Sequence, residues 1–400
     1  MFNKNSYLYP CTANYYTTMN VISSPDRRRF VKRLGSALLV PSTLSMLPSC
    51  SGNKPEGTQA QVESDANASK KKLGLALVGL GNYSNGQLAP ALQETQQCYL
   101  AGVVTGTPSK AEEWKQKYDI PDKNIYNYDT FDQIADNPDI DIIYVVLPNA
   151  MHAEYVIRAA KAGKHVITEK PMEVSVEKCQ QMIDACNEND VKLGVGYRLH
   201  FEPYNQEMMR LGQEKVFGAV QSVEADFGFT IGDPTQWRLD KELAGGGALM
   251  DVGIYTIQGC CYTLGEDPVS VVAEEFKTDK QKFAEVDETI HFTLKFPSGV
   301  EAKCKTSYNE NYNRLRADAE TGWFELAPAY DYGPLAGKTS EGPMDFPQIL
   351  EQARHMDAFA ESIVQGTEFK TPGEMGLRDM KIIEAIYQSI ADGGKEVKIA

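Results

Sequence analysis

The 400-residue sequence predicts an α/β half on a parallel sheet, followed by an α+β half on a predominantly antiparallel sheet with helices on one face. Three features of the chain carry this reading. Between residues 71 and 197, short apolar runs alternate with amphipathic segments, as β-α units of a parallel sheet do. After Tyr197 the pattern changes to strict apolar/polar alternation, the mark of strands with one buried face. Two amphipathic segments between residues 348 and 393 then close the chain as helices.

Composition narrows the class. Hydrophobic residues make up 42% and charged residues 24%, as in an ordinary soluble globular protein of two domains with processed ends. The formal net charge of −15 disfavours nucleic acid as a partner, because a phosphate backbone is repelled. The eight cysteines show no CxxC pair and no His at zinc spacing, so no metal is expected. Those beyond Cys50 read as small buried apolar residues, with no bond between the adjacent Cys260 and Cys261.

Residues 1–50 read as an export leader. Asp26-Arg27-Arg28-Arg29-Phe30-Val31-Lys32 resembles a bacterial twin-arginine signal. The apolar stretch from Leu34 to Leu47 follows, too short to span a bilayer. Leu47-Pro48-Ser49-Cys50 then resembles a lipobox, which implies lipidation at Cys50. A basic tail of chance composition is the alternative. Translation from Met19 rather than Met1 gives a leader of ordinary proportions. Residues 51–70 are small, polar and without apolar period, and so read as a flexible tether. The expected location is the periplasm, free or membrane-anchored.

Residues 71–197 carry a dinucleotide signature. Leu75 to Val78 form a buried strand, and Gly79, Gly81 and Gly86 follow as G-x-G-x4-G, with a helix expected from near Asn85. The first glycine allows the tight turn, and the second lets backbone N–H groups approach a pyrophosphate. The helix N-terminus adds its dipole. The next strand ends in Thr105-Gly106-Thr107-Pro108-Ser109-Lys110 instead of the carboxylate usual in NAD enzymes. Thr105 and Ser109 can donate hydrogen bonds and Lys110 supplies charge, which favours NADP, with NAD left open. Later strands end at Leu147-Pro148-Asn149, at Glu169-Lys170-Pro171 and at Arg198. Ligands of open α/β sheets sit beyond such strand ends.

Residues 198–400 read as a second domain, whose polar sheet face is either open or used for assembly. Ile290, Phe292, Leu294 and Phe296 alternate with Thr289, His291, Thr293 and Lys295. His291 among polar positions reads as surface or interface. Gly245 to Gly247 open a helix on which Asp251 and Tyr255, four apart, share one face. A carboxylate and a phenol projecting together suit substrate binding and proton transfer; a core tyrosine bonded to an aspartate is the equal alternative.

With these residues in hand, the chain resembles the Gfo/Idh/MocA oxidoreductase family, and within it the glucose–fructose oxidoreductase branch. VGLGNY, LPNAMHAEY, AGKHVITEKPM, GYRLHFEPYN, QWRLDKELAGGGALMDVGIY and PGEMGLRDMKIIEAIY carry the resemblance, in order, from about Leu73 to the C-terminus. It implies a Rossmann domain, a second domain on a large antiparallel sheet, and an active site between them. It implies Lys170, Asp251 and Tyr255 as catalytic residues. It implies cofactor contacts from Gly79, Leu80, Gly81, Asn82 and Tyr83; from Thr105, Ser109 and Lys110; from Leu147, Pro148, Asn149 and His152; and from Glu169, Lys170, Arg198, Trp237 and Arg238. Lys170, Arg198, Asp251 and Tyr255 are the implied sugar contacts. Tyr255 stands where many members have His. The branch has a longer proline-rich arm before the first strand, whereas the tether has one proline.

The implied reaction is oxidation of an aldose at C1. Tyr255 takes the hydroxyl proton, helped by a nearby Lys170 ammonium because a free phenol titrates at about 10. Lys170 also stabilises negative charge on the reacting oxygen, and Asp251 orients the sugar. An exported enzyme has no cofactor pool, so the cofactor is expected to stay bound and be recycled by reducing a second sugar carbonyl. An NAD-dependent glycosidase and a non-catalytic sugar- or cofactor-binding lipoprotein are the alternatives.

Overall fold

The computed structural model describes residues 72–399. The expected leader and tether, with Met1, Met19 and Cys50, lie outside the described residues.

Six strands form the first sheet: β1 (Leu73–Val78), β2 (Cys98–Val104), β3 (Ile125–Tyr126), β4 (Ile142–Val145), β5 (His165–Thr168) and β6 (Leu193–Val195). Their order is β3-β2-β1-β4-β5-β6, and every pair is parallel. Leu75, Ala76, Leu77 and Val78 are fully buried, because helices cover both faces of such a sheet. The chain leaves β1 for β2 on one side and later reaches β4 on the other. That switch opens a crevice beyond the carboxyl ends of β1 and β4.

Nine strands form the second sheet: β7 (Val220–Gly228), β8 (Ser270–Phe276), β9 (Thr289–Lys295), β10 (Glu301–Ser307), β11 (Tyr312–Ala319), β12 (Trp323–Leu326), β13 (Gly337–Thr339), β14 (Gly342–Pro343) and β15 (Val397–Lys398). The order is β14-β13-β12-β11-β7-β10-β9-β8-β15, antiparallel except between β7 and β10. Alternation sets the faces: Ile290, Phe292 and Leu294 are buried, each contributing roughly 1.5–3 kcal/mol of apolar burial. His291 and Thr293 stand half-exposed on the other face, where the His291 ring lies 4.7 Å from Phe276.

The helix Ile254–Leu264 lies on the apolar face of this sheet and is buried at all but two of its positions. Packing on several sides, rather than helix propensity, fixes its place. Its start is held from outside. Gly247 lies so close to Asp287 that a Cβ there would sit 2.0 Å from the Asp287 carbonyl oxygen. The Asp287 carboxylate accepts from Gly247 N at 2.7 Å and Leu249 N at 2.8 Å, filling N-terminal donors of the helix.

The helices Glu351–Gln365 and Gly373–Ala391 occupy the region where the closing helices were expected. The first turns back to the parallel sheet. Ala353, Met356, Phe359 and Ala360 join the core of Leu75, Leu77 and Leu88. The Asp357 carboxylate accepts from Gln96 N and Gln97 N at 2.7–2.9 Å. Cys98, Cys179, Cys186, Cys260, Cys261 and Cys304 are buried and free.

Candidate active site

A cleft of about 570 Å³ opens beyond the carboxyl ends of β1, β2, β4 and β5. The glycine turn forms one wall. Gly79 has φ +95°, and a Cβ there would lie 2.3 Å from the Val146 carbonyl oxygen, so only glycine fits. At Gly81 a Cβ would meet nothing within 4 Å; the turn is open towards the cleft at that point. Leu80, Asn82 and Tyr83 line the cleft with them.

Helical geometry starts at Asn82, three residues before the expected Asn85. Gly86 therefore lies inside the helix, exposed and without a close neighbour, and is not the third glycine of the fingerprint. Ser84 takes that place. It is fully buried and its Oγ donates to the Gly79 carbonyl at 2.6 Å, closing the turn with a hydroxyl. The G-x-G-x-x-small spacing was the signal for it.

Beyond β2, Thr105 and Lys110 line the cleft, and Lys110 Nζ donates to the Leu80 carbonyl at 3.0 Å. Thr105 Oγ1 accepts from Thr107 N at 3.3 Å. Ser109, on the first turn of the helix Pro108–Tyr118, is exposed and does not line the cleft. Tyr128, not anticipated from the sequence, lines the cleft and packs on Gly106, where a Cβ would meet its ring at 3.0 Å. With no carboxylate among these residues, this end accommodates a phosphorylated ribose. The bare glycine turn accommodates a diphosphate, so the wall fits a nicotinamide dinucleotide phosphate.

The opposite end gathers the chemistry. Leu147, Pro148, Asn149, Glu169, Lys170, Trp237, Arg238, Asp251 and Tyr255 all line the same cleft. Asn149 Nδ2 donates to the Ala244 carbonyl at 2.8 Å. The peptide bond from Lys170 to Pro171 is cis. Lys170 Nζ donates to the Asp251 carbonyl at 2.7 Å and to its Oδ1 at 3.3 Å, and lies 4.6 Å from the centre of the Tyr255 ring. Arg238 Nε and the Tyr308 hydroxyl each donate to Asp251 Oδ2 at 3.0 Å. Arg238 also lies over the Trp237 ring at 4.7 Å. Asp251 itself sits in a π-helical turn, Leu249–Gly253, that runs into the Tyr255 helix.

Burial opposes ionisation of Asp251, but the Lys170 ammonium, the Arg238 guanidinium and the Tyr308 donor outweigh it and hold the carboxyl at about 2. Asp251 is thus a fixed anion whose two carboxylate oxygens are engaged by two cations and one hydroxyl. Glu169 is buried, which raises its carboxyl above the usual range against the Tyr144 hydroxyl that donates to it at 2.6 Å.

Two more expected contacts, besides Ser109, lie outside the cleft wall. His152 is fully buried, with Nε2 2.9 Å from the Leu147 carbonyl and Nδ1 3.1 Å from the Pro171 carbonyl. Its ring ties two strand-end loops together from behind, and burial lowers its basicity. Arg198 is also buried, paired to Glu351 at 2.7 Å and donating to the Tyr330 and Asp331 carbonyls. It backs the rings of Tyr255 at 5.4 Å and Tyr332 at 4.3 Å rather than lining the cleft. Tyr332 does line it, 5.9 Å from Tyr83, and arrives from the loop after β12 with no local sequence signal. Among the described residues no group of three or more His, Cys, Asp or Glu side chains is placed to hold a metal ion.

Comparison with known proteins agrees with this architecture. The profile described as an oxidoreductase family with NAD-binding Rossmann fold matches residues 73–197, and the GFO/IDH/MocA C-terminal domain matches residues 205–325. The chain is 33% identical over 325 residues to D-xylose 1-dehydrogenase (NADP(+)) of Haloarcula marismortui, covering 78% of this chain and 90% of that one. The structure of an aldose-aldose oxidoreductase from Caulobacter crescentus, complexed with glycerol, superposes with a TM-score of 0.80 at 42% identity, covering 82% of this chain and 100% of the other. A 3-ketoreductase from Actinomadura kijaniata, in complex with NADP, shares the fold with a TM-score of 0.70 at 21% identity, over 80% of this chain and 98% of the other.

Proposed function

Because this chain belongs to the Gfo/Idh/MocA oxidoreductase family, we propose that it is an NADP-dependent sugar oxidoreductase acting on the C1 hydroxyl of an aldose. One observation carries the reading: Lys170, Asp251 and Tyr255 share a single cleft with the glycine turn. The similarity to an NADP-dependent xylose dehydrogenase and to an aldose-aldose oxidoreductase supports the sugar and the cofactor.

The residues divide the work. Gly79, Leu80 and Gly81 would hold the diphosphate, with Thr105, Lys110 and Tyr128 around the phosphorylated ribose. The oxidised nicotinamide, when bound, accepts hydride. Tyr255 takes the proton of the C1 hydroxyl. Lys170 and Arg198 set two cations against its ring, 4.6 Å and 5.4 Å from the ring centre. The Lys170 ammonium donates to the sugar oxygen as charge develops on it. Asp251 keeps that ammonium in place.

The reading extends to export by the twin-arginine route, attachment through Cys50, assembly through the polar sheet face as a homodimer or homotetramer, and recycling of a retained cofactor by a second sugar carbonyl. Residues 26–32 and 47–50 support the first two. The test is made on protein purified without added cofactor, following the reduced-nicotinamide absorbance band. A band that rises with an aldose and falls with a ketose or second aldose is the expected result. Activity only on added NADP would remove recycling from the proposal. Release of free sugar from a glycoside would replace the oxidoreductase by an NAD-dependent glycosidase, and no turnover at all would leave a sugar-binding lipoprotein.

A further inference from the structure

We infer that Tyr308 is a positioning residue of this site: from a buried strand end it fixes the Asp251 carboxylate, and through it the Lys170 ammonium. The inference rests on Lys170 and Asp251 acting in the reaction proposed above.

Tyr308 follows directly on β10. Its backbone is tied on both sides, donating to the Glu288 carbonyl at 2.8 Å and accepting from Ile231 N at 2.9 Å. Its ring is fully buried in a small apolar cluster with Ile231, Leu239, Val252 and Phe283, and meets Phe229 edge-on at 5.3 Å. A phenylalanine would satisfy that packing. The hydroxyl is therefore the informative atom, and it donates to Asp251 Oδ2.

An aspartate carboxylate can turn about two side-chain torsions, and the second has a broad minimum. The donor on the sheet directs Oδ2 towards β10, which leaves Oδ1 for Lys170. Arg238 also binds Oδ2, but it sits on a single 3₁₀ turn, Trp237–Leu239, with its side chain 37% exposed. It can follow whatever enters the cleft, whereas Tyr308 cannot. Tyr308 lies outside the cleft wall, so its influence on turnover runs through Asp251.

The test is a double-mutant cycle in the full chain with Tyr308→Phe, Asp251→Asn and the double variant. Single-turnover hydride transfer keeps slow variants measurable. A lost hydrogen bond to a charged group predicts about a tenfold fall in the rate of Tyr308→Phe, with the NADP KM and thermal midpoint close to wild type. In the Asp251→Asn background the same change is expected to alter the rate less than about twofold, since the carboxylate it acts on is gone. A wild-type rate in Tyr308→Phe, or an equal loss in both backgrounds, overturns the inference. If Asp251→Asn and Lys170→Ala are themselves fully active, the proposed reaction fails as well; if they are impaired and Tyr308→Phe is not, the positioning role alone falls.

Discussion

Replacing Asp251 by asparagine tests the electrostatics of the site through stability alone. Its carboxyl is held at about 2 against an ordinary 3.8. A depression of that size stabilises the folded state by about 2.5 kcal/mol at neutral pH. Because the folded value is the lower one, this stabilisation is complete above the ordinary carboxylate range. It is lost as pH falls through about 2; at pH 3 roughly half remains. The side chain is 18% exposed, so solvent screens the interaction little. The assay is urea unfolding of wild type and Asp251→Asn at pH 7 and pH 3. The variant is expected to be less stable at pH 7, with a gap about half as large at pH 3. A gap that stays constant between the two pH values, or none at pH 7, would refute the claim that Lys170 and Arg238 hold an ionised Asp251.

Other substitutions probe separate parts of the cleft. Lys170→Ala should lower kcat by about 10³-fold while leaving NADP binding, read by fluorescence titration, within about threefold. Gly79→Ala, forced to φ +95° with a Cβ 2.3 Å from a carbonyl oxygen, should lower both the thermal midpoint and cofactor affinity, the strain costing about 1–3 kcal/mol. Arg198→Met strands the buried Glu351 carboxylate and should destabilise the fold by about 3–5 kcal/mol. Arg198→Met with Glu351→Leu should recover most of that in urea unfolding. A raised sugar KM without loss of stability would instead return Arg198 to the sugar pocket. Lys110→Ala should raise the NADP KM about tenfold relative to NAD in steady-state kinetics.

Much of the site was legible because its signals are local. The glycine turn follows a buried strand, Lys170 stands at the end of β5, and Asp251 and Tyr255 lie four apart on one helical segment. Each depends on neighbours within a few residues. The misreadings share the opposite cause. His152 belongs to a matching motif, yet its nitrogens meet carbonyls of two different loops, and motif position does not report where a ring points. Arg198 follows a strand end as ligand residues do, but Glu351 waits 153 residues later to pair with it.

The two sheets, their order along the chain, the family and the residue types available for chemistry are all written in the linear chain. Periodicity, turn residues and motif order are properties of short stretches. Which polar groups meet is a property of the folded chain. Lys170 reaches Asp251 across 81 residues and Asp251 meets Tyr308 across 57, contacts set by sheet register and by a helix buried on several sides. The cleft end with Tyr332, and the return of Glu351–Gln365 to the first sheet, follow from the same packing. A hydrogen bond needs its partners within about 3 Å, and no spacing along the chain specifies that when the partners sit on different elements.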